Sequence, residues 1–238
     1  MKVLVGIPVY NESKYIRSVL DEVQKFIAEV AVVDDGSSDG SGELLRELHG
    51  QGILQHFLQH ETNRGYGQSL IDLMAFARDS DYDSLITMDC DEQHQPSCIP
   101  DFVAAAEGWD IVSGTRYPKQ GEVEGDAPPE DRLRINREIT ARINQITNYN
   151  LTDGFCGFKL YNRNALEKLE IKEPGYAMPM EFWIKAFHIG LTVREIPVRR
   201  IYKDNTRQFG GKLNDSEDRL AYYNEVIDRT LREDREQW

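Results

Sequence analysis

Leu85-Ile86-Thr87-Met88 runs directly into Asp89-Cys90-Asp91-Glu92-Gln93-His94. The apolar run has the length of a buried strand, and the polar run begins where that strand must end. Two carboxylates two residues apart, just past a strand, can reach one divalent cation from one side, with the Gln93 carboxamide two positions further on. Hard oxygen ligands of this kind suit Mg²⁺ or Mn²⁺, which usually complete their shell with substrate phosphates. Ligands in an open α/β sheet bind outside the carboxyl ends of the strands. This stretch is therefore the expected working centre.

Working outward, the first half of the chain alternates strand and helix patterns. Lys2–Ile7 reads as a buried strand, and Ser13 as the N-cap of a helix with Ile16, Val19/Leu20, Val23 and Phe26/Ile27 at the 3.6 period. Val30–Val33 is a second strand, followed by a helix over Gly40–Leu48 and a strand over Ile53–Leu58. A helix carrying Leu70, Leu73/Met74 and Ala77 precedes the strand before Asp89; a helix over Ile99–Ala106 and a strand over Asp110–Ser113 follow it. This alternation predicts an α/β fold, a mostly parallel sheet with helices on both faces. Residues 118–131 hold two glycines, three prolines and five acids and read as a mobile loop or lid. Helices over Leu133–Asn148 and Pro179–Ile189, strands over Cys156–Tyr161 and Leu191–Val198, and a helical tail from Ser216 complete the pattern. The expected organisation is one domain in two halves, 1–117 and 132–212, separated by the 118–131 loop and closed by a helix over 213–238.

Composition narrows the classes. The formal net charge is −13, with 41 acids against 28 bases, which argues against nucleic acid as a partner. Apolar runs stay far short of a bilayer span, the first residues lack a signal-peptide pattern, and three cysteines make no disulfide framework. The expected setting is cytoplasmic and reducing. The bases cluster, with Arg132, Arg134, Arg137 and Arg142 in one segment and Arg194, Arg199, Arg200, Lys203, Arg207 and Lys212 in another. Such patches in an acidic protein suit discrete anionic ligands; for Arg142 and Arg194 a solvated helix face is the preferred reading.

Four short segments fall at the ends of successive strands. Pro8-Val9-Tyr10-Asn11-Glu12 offers a ring and a carboxylate that can hold a nucleoside; a plain turn with Asn11 or Ser13 as cap is the alternative. Asp34-Asp35-Gly36-Ser37-Ser38-Asp39-Gly40 offers a carboxylate for a base N–H, or simply a capped turn. Gly65-Tyr66-Gly67 is a weaker signal that close packing alone would explain. The Asp89–His94 segment is the third, with His94 read as an ordinary loop histidine. Arg116, in Gly114-Thr115-Arg116-Tyr117, can neutralise a diphosphate or pair with Asp89 or Asp91.

In this order and spacing, PVYNE (8–12), VVDDGSSDG (32–40), DCDEQHQP (89–96), GTRY (114–117), CGFKLY (156–161) and EIPVRRIY (195–202) resemble family 2 glycosyltransferases of the GT-A fold, in the dolichyl-phosphate mannosyltransferase-like branch. The resemblance covers residues 2–212 and implies a Rossmann-like sheet with a small acceptor-side extension. It implies inverting transfer of a sugar, mannose or glucose, from a nucleotide-diphosphate donor to a polyprenyl or dolichyl phosphate. By that resemblance Pro8, Tyr10, Glu12, Val33 and Asp35 fall where base and ribose are held. Asp89 and Asp91 fall where Mg²⁺ or Mn²⁺ is held on the diphosphate, with Gln93 as a further ligand, and Cys90 where the backbone meets the nucleotide. Arg116 and Arg200 fall near the sugar phosphates, Arg207 or Lys212 on a mobile loop over 203–212, and Arg134 near an acceptor phosphate.

The sequence departs from that pattern in its 203–211 loop and in showing no membrane helix, which points to peripheral rather than integral attachment and leaves a homodimer or a membrane-protein partner open. Thr152-Asp153-Gly154 places an acid where a base would serve a hydroxyl acceptor, with Glu181 as second candidate; a phosphate acceptor needs neither. Rival readings are a hydroxyl-directed transferase of polysaccharide or glycolipid synthesis and a non-catalytic nucleotide-sugar-binding subunit. A sugar-nucleotide pyrophosphorylase fits poorly, because the first strand does not end in a Gly-rich loop with a basic residue.

Overall fold

The computed structural model describes residues 1–119, 125–201 and 211–237. Strands β1 (Val3–Val9), β2 (Val30–Asp34), β3 (His56–Gln59), β4 (Ser84–Thr87), β5 (Ile111–Thr115), β6 (Lys159–Asn162) and β7 (Val193–Pro197) form one sheet in the order β3-β2-β1-β4-β6-β5-β7. Every neighbouring pair is parallel except the two made by β6, which runs antiparallel between β4 and β5.

The sheet is covered on both faces, and the alternation of β1 shows how. Val3, Val5, Ile7 and Val9 pack into one core with α1 (Ile16–Val23), α2 (Ser41–Gly50) and α4 (Ile99–Ala105). Leu4 points the other way, into a second core with α3 (Tyr66–Asp79), α5 (Glu130–Thr147), α6 (Arg163–Lys168), α7 (Met178–His188) and α8 (Ser216–Gln237). A strand buried on both faces reads as a continuous apolar run, which is how β1 and β2 read. Phe102 in the first core and Trp183 in the second are among the largest fully buried side chains. Truncating either to alanine would cost about 3–5 kcal/mol.

Several boundaries move for local reasons. Ser13 does not cap α1; its backbone N–H donates to Asp39 Oδ2 at 3.0 Å, and the helix begins at Ile16. Phe26, expected on the buried stripe, is 42% exposed because α1 ends at Val23. The third strand starts at His56 rather than Ile53, because the Ile53 and Leu54 N–H groups still donate to the Leu48 carbonyl at the end of α2. The sixth begins at Lys159 rather than Cys156, with Gly157 held instead through its carbonyl by the Thr87 hydroxyl at 2.8 Å. Helix α6 was not anticipated; Asn162 caps it by accepting from the Ala165 N–H at 2.9 Å. The expected 118–131 loop ends early, since Glu130 and Asp131 already form the first turn of α5, where acids favour a helix N-terminus. Its residues 120–124 lie outside the described residues.

Candidate active site

All parallel strands end on one edge of the sheet, and β6 begins there, so their flanking loops meet over a cleft of ≈ 720 Å³. That volume suits a nucleotide-sized ligand. Pro8, Tyr10, Glu12, Asp35, Asp89, Cys90, Asp91, Gln93 and Arg116 all line it.

The first two loops are knitted together. Asn11 adopts φ 57° and its backbone N–H donates to Ser37 Oγ at 2.9 Å, while its Oδ1 accepts from the Ser38 N–H at 2.8 Å. The Glu12 N–H donates to Ser41 Oγ at 3.0 Å. This turn leaves Tyr10 47% exposed at the cleft. Asp35 is nearly sealed. Its Oδ1 accepts from the Arg64 N–H at 2.7 Å and its Oδ2 from the Gly65 N–H at 2.9 Å, with His60 Nδ1 also 2.7 Å from Oδ1. Asp35 thus braces the 63–65 loop that forms the cleft wall. Val33 is a correction. Its side chain is fully buried in the α3-side core, because an inward position on β2 faces the helices and not the cleft.

The carboxylate pair is supported from three sides. Asp89 Oδ1 accepts from the Tyr66 hydroxyl at 3.0 Å, and Asp91 Oδ1 accepts from the Gln93 N–H at 3.1 Å. His94 Nδ1 accepts from the Asp89 N–H at 3.0 Å, its ring stacks on Phe158, and its Nε2 lies 3.8 Å from Asp89 Oδ2. Burial lowers the His94 pKa against the pull of Asp89 and Asp91, which keeps the ring neutral with its Nε2 proton toward Asp89. Burial, reinforced by Asp89, pushes the Tyr66 phenol well up, so it stays a donor. Gly157 closes the remaining side: a Cβ there would lie 2.8 Å from the Tyr66 hydroxyl and 3.1 Å from Asp89 Oδ2.

Among the described residues no cluster of three or more His, Cys, Asp or Glu could cage a metal. Two carboxylates and a carboxamide opening onto a cleft are the donor set Mg²⁺ or Mn²⁺ accepts when phosphates and waters supply the rest of the shell. The residues present fit such a cation, with Asp89 and Asp91 as its holders.

Arg116 is held by a third acid, Asp153. Its Nε lies 2.6 Å from Asp153 Oδ2 and its Nη2 2.9 Å from Asp153 Oδ1. Asn136 Nδ2 adds a third side-chain bond to the Asp153 carboxylate at 2.7 Å, beside those from the Arg116 and Phe155 N–H groups. Burial raises the Asp153 pKa, but the Arg116 charge and these hydrogen bonds outweigh it and bring it to about 2. That corrects the expectation of a base at Asp153: a carboxylate so stabilised has little affinity for a proton. Glu181 is no better placed. It is buried, accepts from the Lys172 and Glu173 N–H groups, and pairs with Lys185 at 2.6 Å.

Arg134 is a further correction. It lies on the outer face of α5, paired with Glu217, because Ile135, Ile139 and Ile143 define the inward stripe. Arg132 and Asn136 flank that stripe and line the cleft instead. The helical period of α5 would have separated them. Arg219 and Tyr223 of α8, with Phe155 and Tyr176, complete this end of the cleft. No motif signalled them. Arg200 sits one layer out, with its Nη1 3.4 Å from the Arg116 carbonyl and its guanidinium 5.6 Å from the Tyr117 ring. It lines a neighbouring cavity rather than the main cleft. Arg207 lies outside the described residues, as do 203–210 of the loop expected to carry it.

The sequence model of glycosyl transferase family 2 matches residues 4–170. The chain belongs to that family. This family 2 glycosyltransferase is 26% identical over 223 residues to an undecaprenyl-phosphate mannosyltransferase of Micrococcus luteus, covering 91% of each chain. It is 28% identical over 204 residues to the polyprenol monophosphomannose synthase of Mycolicibacterium smegmatis, covering 83% of this chain and 76% of the relative. Its structure resembles that of glucosyl-3-phosphoglycerate synthase from Mycobacterium tuberculosis in complex with Mn²⁺ and UDP-glucose. The TM-score is 0.68 at 19% identity, over 97% of this chain and 77% of the other. At that identity the likeness shows the fold, GT-A.

Proposed function

We propose that this glycosyltransferase moves a hexose from a nucleotide-diphosphate donor onto a polyprenyl phosphate, with inversion. The observation that carries the acceptor class is the Arg116–Asp153 pair. Asp153, the first acid offered as a base, is fully buried, bound to a guanidinium and held at about 2, so it is unsuited to deprotonate a hydroxyl. A phosphate acceptor is already anionic at neutral pH and needs no such base. The names of the Micrococcus and Mycolicibacterium relatives support the same class.

In this reading Tyr10 stacks on the base, and Glu12 lies on the nucleoside side of the cleft. Asp89 and Asp91 would hold Mg²⁺ or Mn²⁺, which supplies positive charge to the departing diphosphate when bound. Arg116, fixed by Asp153, stands where negative charge develops on the leaving oxygen and costs no reorganisation at that moment. Arg132, on the α5 wall of the cleft, attracts the acceptor phosphate. The rings of Phe155, Tyr176 and Tyr223 cover the first apolar part of its chain. In this reading the acceptor is met at the bilayer surface; among the described residues no helix is long and apolar enough to cross a membrane. Recruitment there would fall to a membrane-protein partner or to a second copy.

The test is a matrix of GDP-mannose, UDP-glucose and UDP-N-acetylglucosamine against undecaprenyl phosphate in detergent, 3-phosphoglycerate and a simple hexoside, with Mn²⁺. Transfer to the polyprenyl phosphate is expected. Transfer confined to the hexoside would overturn the reading in favour of a hydroxyl-directed enzyme, and donor binding without transfer to any acceptor would favour a binding subunit.

A further inference from the structure

The family match ends at residue 170, and the loop that follows, 171–177, stands on two buried carboxylates. Glu181 accepts from the Lys172 N–H at 3.0 Å and the Glu173 N–H at 2.5 Å. Glu173, only 4% exposed, accepts in turn from the Gly175 N–H at 3.0 Å, from the Tyr222 hydroxyl and from Arg229 Nη2 at 2.5 Å. Tyr222 and Arg229 both belong to α8. A buried carboxylate with donors from two elements fixes those elements against each other, since losing any donor leaves charge uncompensated.

The other side of this loop lies against the start of α3 without spare room. Gln68 N–H donates to the Pro174 carbonyl at 2.9 Å. A Cβ at Gly65 would come within 2.3 Å of Pro174 O, and one at Gly67 within 2.5 Å of Glu173 O. Tyr66 projects between those two glycines. Its ring stacks on Tyr176 with centroids 5.8 Å apart and planes 14° apart, and its hydroxyl holds Asp89 Oδ1. Gly157 confines it from the opposite side.

We infer that Glu173 is a positioning residue for Asp89. Helix α8 sets the 171–177 loop through Tyr222 and Arg229, the loop sets the Tyr66 ring, and Tyr66 orients the carboxylate that holds the donor's cation. The inference rests on the donor reading above. It makes α8, outside the family match, part of the donor site's geometry. A plain structural role for Glu173, attaching α8 to the body, is the competing account. Arg142 separates the two, because it also clamps α8, through Asp228 at 2.6 Å and Asn224, but touches neither the loop nor Tyr66.

The experiment measures Mn²⁺ binding by electron paramagnetic resonance in the presence of UDP and, separately, GDP, together with melting temperature and acceptor KM. Tyr66→Phe and Glu173→Gln should each weaken Mn²⁺ binding about tenfold, with acceptor KM unchanged, as loss of a ligand's supporting hydrogen bond does. Arg142→Ala should lower the melting temperature and leave Mn²⁺ binding unchanged. Tyr222→Phe, which keeps the ring, should follow Glu173→Gln and stands in for it if that variant does not fold. Melting losses in Glu173→Gln or Tyr222→Phe with wild-type Mn²⁺ binding would overturn the inference, as would wild-type Mn²⁺ binding by Tyr66→Phe. Failure of the unaltered protein to bind Mn²⁺ with either nucleotide would instead overturn the donor reading beneath it.

Discussion

Arg116 grips Asp153 with two parallel bonds, Nε to Oδ2 at 2.6 Å and Nη2 to Oδ1 at 2.9 Å, and the carboxylate beneath is fully buried. Breaking a buried pair from one side strands the other charge. Asp153→Asn should therefore lower stability by roughly 3–5 kcal/mol and depress kcat by misplacing the guanidinium. Chemical denaturation and steady-state kinetics check both. The sign with pH is fixed too. The folded carboxyl titrates at about 2, below its ordinary 3.8, so its contribution is fully present above that ordinary value and disappears as pH falls toward 2. Its size is about 2 kcal/mol. Turnover should show no ionisation of this group between pH 5 and 8; a kcat limb in that window abolished by Asp153→Asn would restore it as a base.

The carboxylates at 89 and 91 open onto one cleft, and neutralising either would remove one of the two negative charges proposed to hold the cation. Asp91→Asn should reduce metal-dependent transfer by at least about a hundredfold while the fold persists. Chelation of the unaltered enzyme should abolish activity, and Mn²⁺ should restore it. Full activity in excess chelator would remove the cation from the scheme.

Gly157 predicts an effect on chemistry larger than its effect on folding. An alanine methyl would press on the Tyr66 hydroxyl and on Asp89, both of which border the open cleft and can move aside. Gly157→Ala is expected to cut kcat/KM at least about tenfold with only a small change in melting temperature. Equal activity would mean that the Asp89 position tolerates displacement.

Arg132 and Arg134 are separated by one residue and by about half the circumference of α5. Arg132→Ala should raise acceptor KM about tenfold or more, as loss of a charge-assisted phosphate contact does. Arg134→Ala should change nothing beyond the few tenths of a kcal/mol of an exposed ion pair with Glu217. An acceptor effect at 134 and none at 132 would reverse the assignment of that face.

The α/β layout was legible because β1, β2 and β4 are continuous apolar runs ending in polar motifs, a signal that depends on local order alone. The residues bordering the donor side were legible for the same reason, each lying within a few positions of a strand end. What the reading missed sits on helices or acts through distant partners. Asp153 looked like a base because a sequence shows an acid but not the guanidinium that reaches it from 37 positions away. Val33 looked like a binding residue because it adjoins Asp34-Asp35, although strand alternation turns it into the core. Arg219 and Tyr223 were invisible as cleft residues, since the apolar stripe of α8 reads as packing whether or not its flank faces a ligand.

The reversed strand β6 has a further implication. Donor-side groups sit where strands leave the sheet, and the Asp153–Gly157 segment sits where one arrives, so the two sets are carried by stretches of chain with opposite polarity. The arriving segment carries both the acid that fixes Arg116 and the glycine that confines Tyr66 and Asp89, so exchanges in the 148–157 approach would disturb the two sets together. A transplant of that approach between relatives is accordingly expected to succeed only when the matching surroundings of Arg116 and Tyr66 travel with it.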